Sequence, residues 1–386
     1  MMEKITFRDY TIEKPYIDKM TRSNTWVKFD YDNLYPERVL ELVNSSPLQK
    51  SILESKKTYI LGAGLAQTEE NIYTPNMTET WADLIEKCVS DMVYLNAMAI
   101  QCILNESGNR WSFYHQPVTQ VRLGNYNERN FIEKAYLCTD WRKAQRNRNV
   151  VEIPMFGSET PQKGKAYLLY FRPEQVGEYY YAIPEYMSAS NYIMADGALS
   201  QYYNNYIHNN FSANLALRFP TEPTEEKKQE LYDNLTASFG GAKNAGNILL
   251  LFGENGVVPE INAIESVNAD LYNSVMDTIK LALVSANRLT SPILAGIVTS
   301  TGFSSKSDEM IAAYSLYKLT VINQERAFIL KCMNKLLEMN GHGRVFKFLD
   351  FDIRKEFEGQ TEKNDQIEAE GNNVENEEET GNEQEQ

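Results

Sequence analysis

The chain is poor in the residues that mark catalytic or metal chemistry. Its 386 residues include three histidines and four cysteines. His115, His208 and His342 sit in three unrelated segments, and His208 near a helix end is accounted for by the helix dipole. No His-x-x-x-His pair, Gly-x-Ser-x-Gly elbow or Cys-x-x-Cys pair occurs, so zinc, redox and triad chemistry lack their usual spacing. No metal, cofactor or catalytic residue is expected. Cys88, Cys102, Cys138 and Cys332 lie far apart, and no signal peptide precedes them. That combination predicts reduced, buried thiols in a cytosolic protein. Asn76-Met-Thr fits a glycosylation sequon, which means nothing without secretion. Long apolar runs are missing too. The richest, Met92 to Leu104, is interrupted by Asn96 and Gln101 and falls short of the ~20 residues of a membrane span.

The other shortage is positive charge. From Glu185 to Leu217 there is no Lys or Arg. From Ala245 to Ile279 there is none either, while Glu254, Glu260, Glu265, Asp270 and Asp277 supply negative charge. Formal net charge is −15, unevenly placed: residues 354–386 hold twelve acids against three bases. With almost no apolar residues, that tail cannot offset its ordering entropy and is expected to be disordered. It reads as a solvating tail or as a docking tail for a basic partner.

Hydrophobic residues make up 42% of the chain, enough for a substantial core. The pattern predicts an α+β protein. Residues 1–40 are aromatic-rich and irregular, an arm pinned to a neighbour. Ser46-Pro47-Leu48-Gln49 starts a helix running to about Leu61, with Gly62 and Gly64 stopping it. Thr80 to Leu104 reads as a second helix whose last part, Ala97 to Leu104, is open to a strand reading. Short strands follow between Trp111 and Tyr181. A basic patch, Arg142, Lys143, Arg146 and Arg148, fits a solvated loop better than a phosphate contact.

Pro184 opens a long helix whose apolar and aromatic positions (Tyr186, Ser190, Met194, Ala198, Tyr202, Tyr206) recur every four residues. A small α/β insert follows: strand Leu215–Phe219, a charged helix from about Thr224 to Phe239, and strand Asn247–Phe252. A second long helix, about Val267 to Leu289, carries a stripe of Val267, Leu271, Val275, Ile279, Ala282 and Ala286. Pro292, Gly296 and Gly302 then break regular structure. The longest helix starts at Ser305, with Met310, Tyr314, Tyr317, Val321, Phe328, Cys332 and Leu336 on one face. Gly341 ends it, and Arg344 to Ile353 is a final strand. No internal repeat is visible.

Gly241-Ala-Lys-Asn-Ala-Gly246-Asn247-Ile248 has the glycine spacing of a phosphate-binding loop. Asn247 and Ile248 replace the lysine and hydroxyl that such a loop needs, and it precedes a strand rather than a helix. A nucleotide site is therefore disfavoured.

The order of elements resembles a portal protein of tailed bacteriophages, over roughly residues 30–340. The matches are Tyr35-Pro36 and Ser46-Pro47 before the first helix and Gly62 and Gly64 after it. Pro184-Glu185-Tyr186 opens a long helix and Asn209-Asn210-Phe211 closes it. Gly241 and Asn244-Ala245-Gly246 lie in the insert. Ser291-Pro292, Gly302-Phe303-Ser304-Ser305 and Asp308-Glu309 complete the set. The resemblance implies an α/β wing (residues 1–183 and about 305–353), stem helices (184–210 and 266–289), a clip (211–265) and a tunnel loop (290–304). Many relatives add a helical crown at the C-terminus, where this chain has one strand and an acidic tail.

The resemblance also implies a non-enzymatic subunit of a dodecameric ring at a capsid vertex, in the virion and in the host cytoplasm during assembly. Its partners would be further copies of itself, double-stranded DNA held without sequence specificity, the large terminase subunit, the major capsid protein and a head–tail adaptor. No membrane or cofactor is implied. Glu254, Glu265, Asp270, Asp277, Thr290, Ser291, Thr299, Ser300 and Thr301 would line the channel. Glu225, Glu226, Lys227 and Lys228 would face terminase. Cation-poor stem helices suit a wall past which DNA slides, because each lysine meeting a phosphate adds salt-dependent affinity. The repulsion of such a wall acts over ~8 Å at physiological salt. The alternatives are another head or head–tail joining protein, or a cytosolic nucleotide-binding enzyme.

Overall fold

The computed structural model describes residues 26–69, 72–145, 148–178, 180–208, 215–219, 224–230, 233, 248–252, 261–263, 269–297 and 307–351. Helix and strand are mixed, and two compact units emerge. Unit one comprises Met1–Val43, Gln49–Ser188 and Val284–Gln386; unit two comprises Asn44–Leu48 and Ala189–Leu283. Among the described residues no helix is long and apolar enough to cross a membrane.

Unit one opens with the aromatic arm. Trp26 packs on Tyr136 and Trp141, Phe29 stacks on Tyr181 at 4.3 Å, and the Val27 N–H donates to the Leu123 carbonyl. From Trp26 on the arm is held by its own chain; residues 1–25 lie outside the described part. Part of the segment read as irregular is helical. Helix α1 (Tyr35–Ser45) buries Tyr35, Val39, Leu42 and Val43 at helical spacing, and Pro36 suits its first turn. Arg38 on its outer side pairs with Asp30 and Asp32. Helix α2 (Pro47–Leu61) begins at the expected proline and leads into β1 (Gly64–Gln67).

Helix α3 (Trp81–Leu95) starts at a capping box: Thr80 accepts from the Asp83 N–H and Asp83 reaches back to Thr80. Asn96, left-handed at φ 55°, stops it, and β2 (Met98–Leu104) follows. The strand reading of Ala97–Leu104 is therefore the correct one. Strands β3 (Trp111–Gln116) and β7 (Ala166–Phe171) flank β2 in an antiparallel sheet. A second sheet joins β4 (Val121–Leu123), β5 (Lys134–Leu137) and β6 (Val151–Pro154). Asn76 of the sequon is buried and its amide donates to Glu79 and to the Phe113 carbonyl, so it is not a glycan acceptor in this fold. In the basic patch, Arg142 pairs with Glu41, Lys143 with Asp140, and Arg148 bonds Gln145, which favours the loop reading.

Between β4 and α1 lies Arg122, fully buried. Its guanidinium donates to the Asn33 side chain and carbonyl and to the carbonyls of Thr119 and Val121, and reaches Glu37 at 3.4 Å. Burial lowers its pKa, which the neighbouring Tyr181, Glu37 and Tyr170 oppose.

Unit two contains α4 (Ser190–His208), entered through a 3-10 turn at Glu185–Ala189. The expected four-residue stripe drifts off its buried face. Ser190 is buried, but Ala198 and Tyr202 are exposed, and the buried positions are Ile193, Asp196 and Gly197. Four residues turn 400° on a 3.6-residue helix, so such a stripe rotates about 40° per step. Strands β8 (Leu215–Phe219), β9 (Ile248–Phe252) and β10 (Ile261–Ala263) form a sheet in the order β10-β8-β9. β8 and β9 are parallel, and their connection carries helix α5 at 225–230. The two expected strands are thus present, with helix at 225–230 between them; most of the rest of the expected helix to Phe239, and the phosphate-loop lookalike at 241–247, lie outside the described residues. Helix α6 (Ala269–Ala286) completes the unit. Val275 of the expected stripe is 42% exposed, whereas Ile279 and Leu283 are buried.

The chain re-enters unit one at Val284, in the last turn of α6, and Arg288 follows with φ +58°. It closes α6 with a left-handed residue, and the Leu289 N–H reaches back to the Val284 carbonyl. Helix α7 (Ser307–Tyr317), a π turn (Lys318–Ile322) and helix α8 (Asn323–Met339) then run in succession. The π turn inserts one residue, as the Asn323 N–H bonding the Lys318 carbonyl shows. Beyond it the buried face is Ile322, Arg326 and Ile329 rather than the expected Phe328, which is only half-buried. Strand β11 (Phe346–Leu349), shorter than expected, pairs antiparallel with β1. Residues 352–386, including the acidic tail, lie outside the described part.

Candidate functional site

The two cation-poor helices fold differently at their charged positions. Asp196 is the only acid between Glu185 and Arg218. It is buried and accepts from the Ser46 hydroxyl at 2.6 Å and the Leu48 N–H at 3.1 Å. Its carboxylate thus satisfies the N-terminal turn of α2, where the helix dipole favours an anion. Gly197 beside it allows the approach, because a Cβ there would meet the Ser45 carbonyl at 2.8 Å. The remaining exposed face of α4 is neutral: Asn191, Tyr192, Gln201 and Asn204.

On α6, Asp277 is exposed and pairs with Lys280 at 3.2 Å. The first cation after the Ala245–Ile279 run therefore sits on the run's last acid. Asp270 falls in the first turn of α6. Glu254 and Glu265 lie outside the described residues.

The segment after α6 is structured by its hydroxyls. Thr290 donates to the Ala313 carbonyl of α7 at 2.6 Å. Ser291 caps a 3-10 turn at Pro292–Ala295, which Gly296 closes at φ 73°. Ser51 and Tyr59 of α2 donate to the carbonyls of Ala295 and Leu294. Next to it, Gln49 and Asn287 exchange two amide hydrogen bonds, of 3.1 and 2.8 Å, out of solvent. Thr290 and Ser291 thus anchor this segment in unit one; Thr299, Ser300 and Thr301 lie outside the described residues. In α5, Glu225, Glu226 and Lys227 are exposed, and Lys228 pairs back to Glu225.

Sequence reasoning missed Asp196 and the Gln49–Asn287 pair. For Asp196 a signal exists: a lone carboxylate in a long uncharged run has a specific partner. For the amide pair there is none, since the two residues are 238 positions apart. His115 pairs with Asp91 and His342 with Glu69, in separate places. Among the described residues no group of three or more His, Cys, Asp or Glu could hold a metal ion.

No protein-family model matches the chain, and no curated protein matches it. Solved structures do match in fold. A chain in the virion of a native gene transfer agent (GTA) particle has TM-score 0.53 and 14% identity, over 87% of this chain and 89% of its own. A chain in the neck of the empty GTA particle has TM-score 0.54 and 12% identity, over 81% and 85%. An HK97-family phage portal protein from Corynebacterium diphtheriae also matches, at 13% identity over 71% and 83%, but its TM-score of 0.40 adds nothing to the assignment. The class defined by these likenesses is one of fold: an α+β chain built like a subunit present in GTA virions and necks.

Proposed function

We propose that the protein is a ring-forming portal subunit of a phage-type particle, through which double-stranded DNA passes during packaging and ejection. The observation that carries this reading is the fold shared with GTA virion and neck chains over more than four fifths of the sequence. The neck structures have sixfold and twelvefold symmetry, which supports a closed ring of identical subunits. In this reading unit one is most of the wing, α4 and α6 are the stem, and the β8–β10 insert with α5 is the clip. Residues 290–304 form the tunnel loop. The partners are further copies of the chain, the major capsid protein, the large terminase subunit at the exposed charges of α5, and later a head–tail adaptor.

Function then rests on charge and shape rather than chemistry. Glu254 and Glu265 of the clip and Asp270 and Asp277 of the stem give the channel a wall that repels phosphate weakly, while Thr290, Ser291 and Thr299–Thr301 contribute neutral polar groups. Lysine at these acids converts repulsion into phosphate contacts, each adding salt-dependent grip. Asp277→Lys also releases Lys280 from its pair. The test is DNA translocation by particles assembled with Glu254→Lys, Glu265→Lys, Asp270→Lys or Asp277→Lys. Slowed or stalled passage by folded subunits is expected, with partial rescue by salt. Unchanged packaging in all four variants would defeat the charge argument.

A further inference from the structure

Unit one holds an open cleft of about 1360 Å³, between the outer face of α8 and the stretch from the end of β7 to Glu178. It exceeds the roughly 300–1,000 Å³ usual for small-molecule sites and suits a length of polypeptide. Its α8 wall carries Phe328, Lys331 and Lys335, and Arg344 lies beyond that helix. Lys331 and Lys335 are one helical turn apart, an arrangement of like charges that weakens a helix. Neither they nor Arg344 form an ion pair among the described residues, whereas Lys318 and Arg326 earlier along the same helical stretch both hold Asp350. Across the cleft Phe171 lies under the Lys335 ammonium at 6.0 Å, and Val176 at the lip is fully exposed. The Asn334 side-chain oxygen, buried in the same wall, accepts no hydrogen bond, an exception that calls for a donor. Three acids, Glu174, Glu178 and Glu338, share the lining, so the groove is cationic along one line and mixed overall.

We propose that this cleft docks the chain's own C-terminal segment, with Arg354-Lys355-Glu356-Phe357-Glu358 as its anchor. The segment matches the groove in three respects. It carries both signs of charge, with two acids flanking an aromatic, and the groove is lined by Phe171, Phe328 and both signs of charge. Its continuation is strongly acidic, twelve acids against three bases over residues 354–386, which suits Lys331, Lys335 and Arg344. It also starts nearby: Asp350 pairs with Arg326, the residue before Ala327 and Phe328 of the lining, and 35 residues follow Phe351, the last described residue. At about 3.3 Å per extended residue, reach is no obstacle. Docking covers the Lys331–Lys335 repulsion and confines the acidic tail to one side of unit one.

Zero-length coupling of amines to carboxylates in the full-length protein, read by mass spectrometry, tests this directly. Lys331 and Lys335 should couple to Glu356, Glu358 or later tail carboxylates within one chain, as mixing isotope-labelled and unlabelled protein will reveal. Arg344→Glu, which removes no amine, should cut that yield several-fold while leaving the melting temperature unchanged, and so should high salt. A chain ending at Phe351 should show several-fold faster hydrogen exchange at 171–178 and 327–338. Coupling spread evenly over surface lysines, coupling only between copies, or an unaltered yield in Arg344→Glu would overturn the proposal. So would protection of both lysines by added duplex DNA in the absence of tail coupling.

Discussion

Gly62 is the point where α2, α8 and the β1–β11 ladder meet, and alanine there should be unusually costly. The residue has φ +59°, and a Cβ would land on the Leu349 carbonyl oxygen and the Arg326 guanidinium. The left-handed backbone costs an alanine about 1–2 kcal/mol by itself. The clash adds more. Leu349 must withdraw its carbonyl from the Ala63 N–H, a 3.0 Å bond, and Arg326 must shift from the Ile60 and Tyr59 carbonyls at 2.7 and 3.0 Å. Weakening one neutral hydrogen bond and two from the guanidinium costs roughly another 2–4 kcal/mol. Gly62→Ala should therefore destabilise unit one by about 3–6 kcal/mol. Gly296→Ala is the control: φ is +73°, but the Cβ meets open space, so only the backbone cost of about 1–2 kcal/mol applies. Trp26, Trp81, Trp111 and Trp141 are the chain's four tryptophans and all lie in unit one. Urea unfolding followed by tryptophan fluorescence therefore reads this unit. Equal midpoint shifts for the two variants would refute the close packing of Gly62 against β11.

Arg122→Met should cost about 3–5 kcal/mol on the same assay, because it strands the Asn33 acceptors and leaves Glu37 without its cation; a shift below about 1 kcal/mol would contradict the buried network. Acid should weaken unit one through Asp350. Burial raises its pKa, but hydrogen bonds from Lys318 and Arg326 outweigh that and hold it below the usual carboxylate value. A lowered native pKa gives stability that is present above the unfolded value of about 4 and lost as pH falls through the native one. The urea midpoint should drop between about pH 5 and 3, and Asp350→Asn should flatten that drop. Burial pushes the thiols of Cys102 and Cys332 up to about 12, and that of Cys88 well above its usual value. Iodoacetamide at pH 8 should leave these three cysteines unmodified in the native protein and alkylate all four once urea unfolds it. Rapid native labelling would show that the core around α3 and α8 opens.

Local signals carried much of the fold. Pro47 marked the start of α2, and the alternation after Trp111 marked β3. The switch at Asn96 was visible only as an ambiguity, because Ala97–Leu104 is apolar on both faces and period alone does not separate strand from helix. Helix α1 was hidden by its aromatics, which read as an arm until Tyr35, Val39 and Leu42 are seen to share a face. β1 and β11 are four residues each and owe their existence to each other across 280 positions. The π turn was illegible in principle, since a single inserted residue changes the phase of α8 without changing its composition. The candidate site was legible as charge, in the runs without Lys or Arg, but not as geometry. Thr290, Ser291 and Asp196 each hold a backbone group whose partner the sequence does not name.

Imaging of the purified full-length protein by negative stain, with native mass spectrometry across salt and concentration, bears most directly on the central claim. A closed ring of identical subunits around an axial channel wide enough for a DNA duplex is the predicted result. Monomers alone under every assembly condition would contradict it.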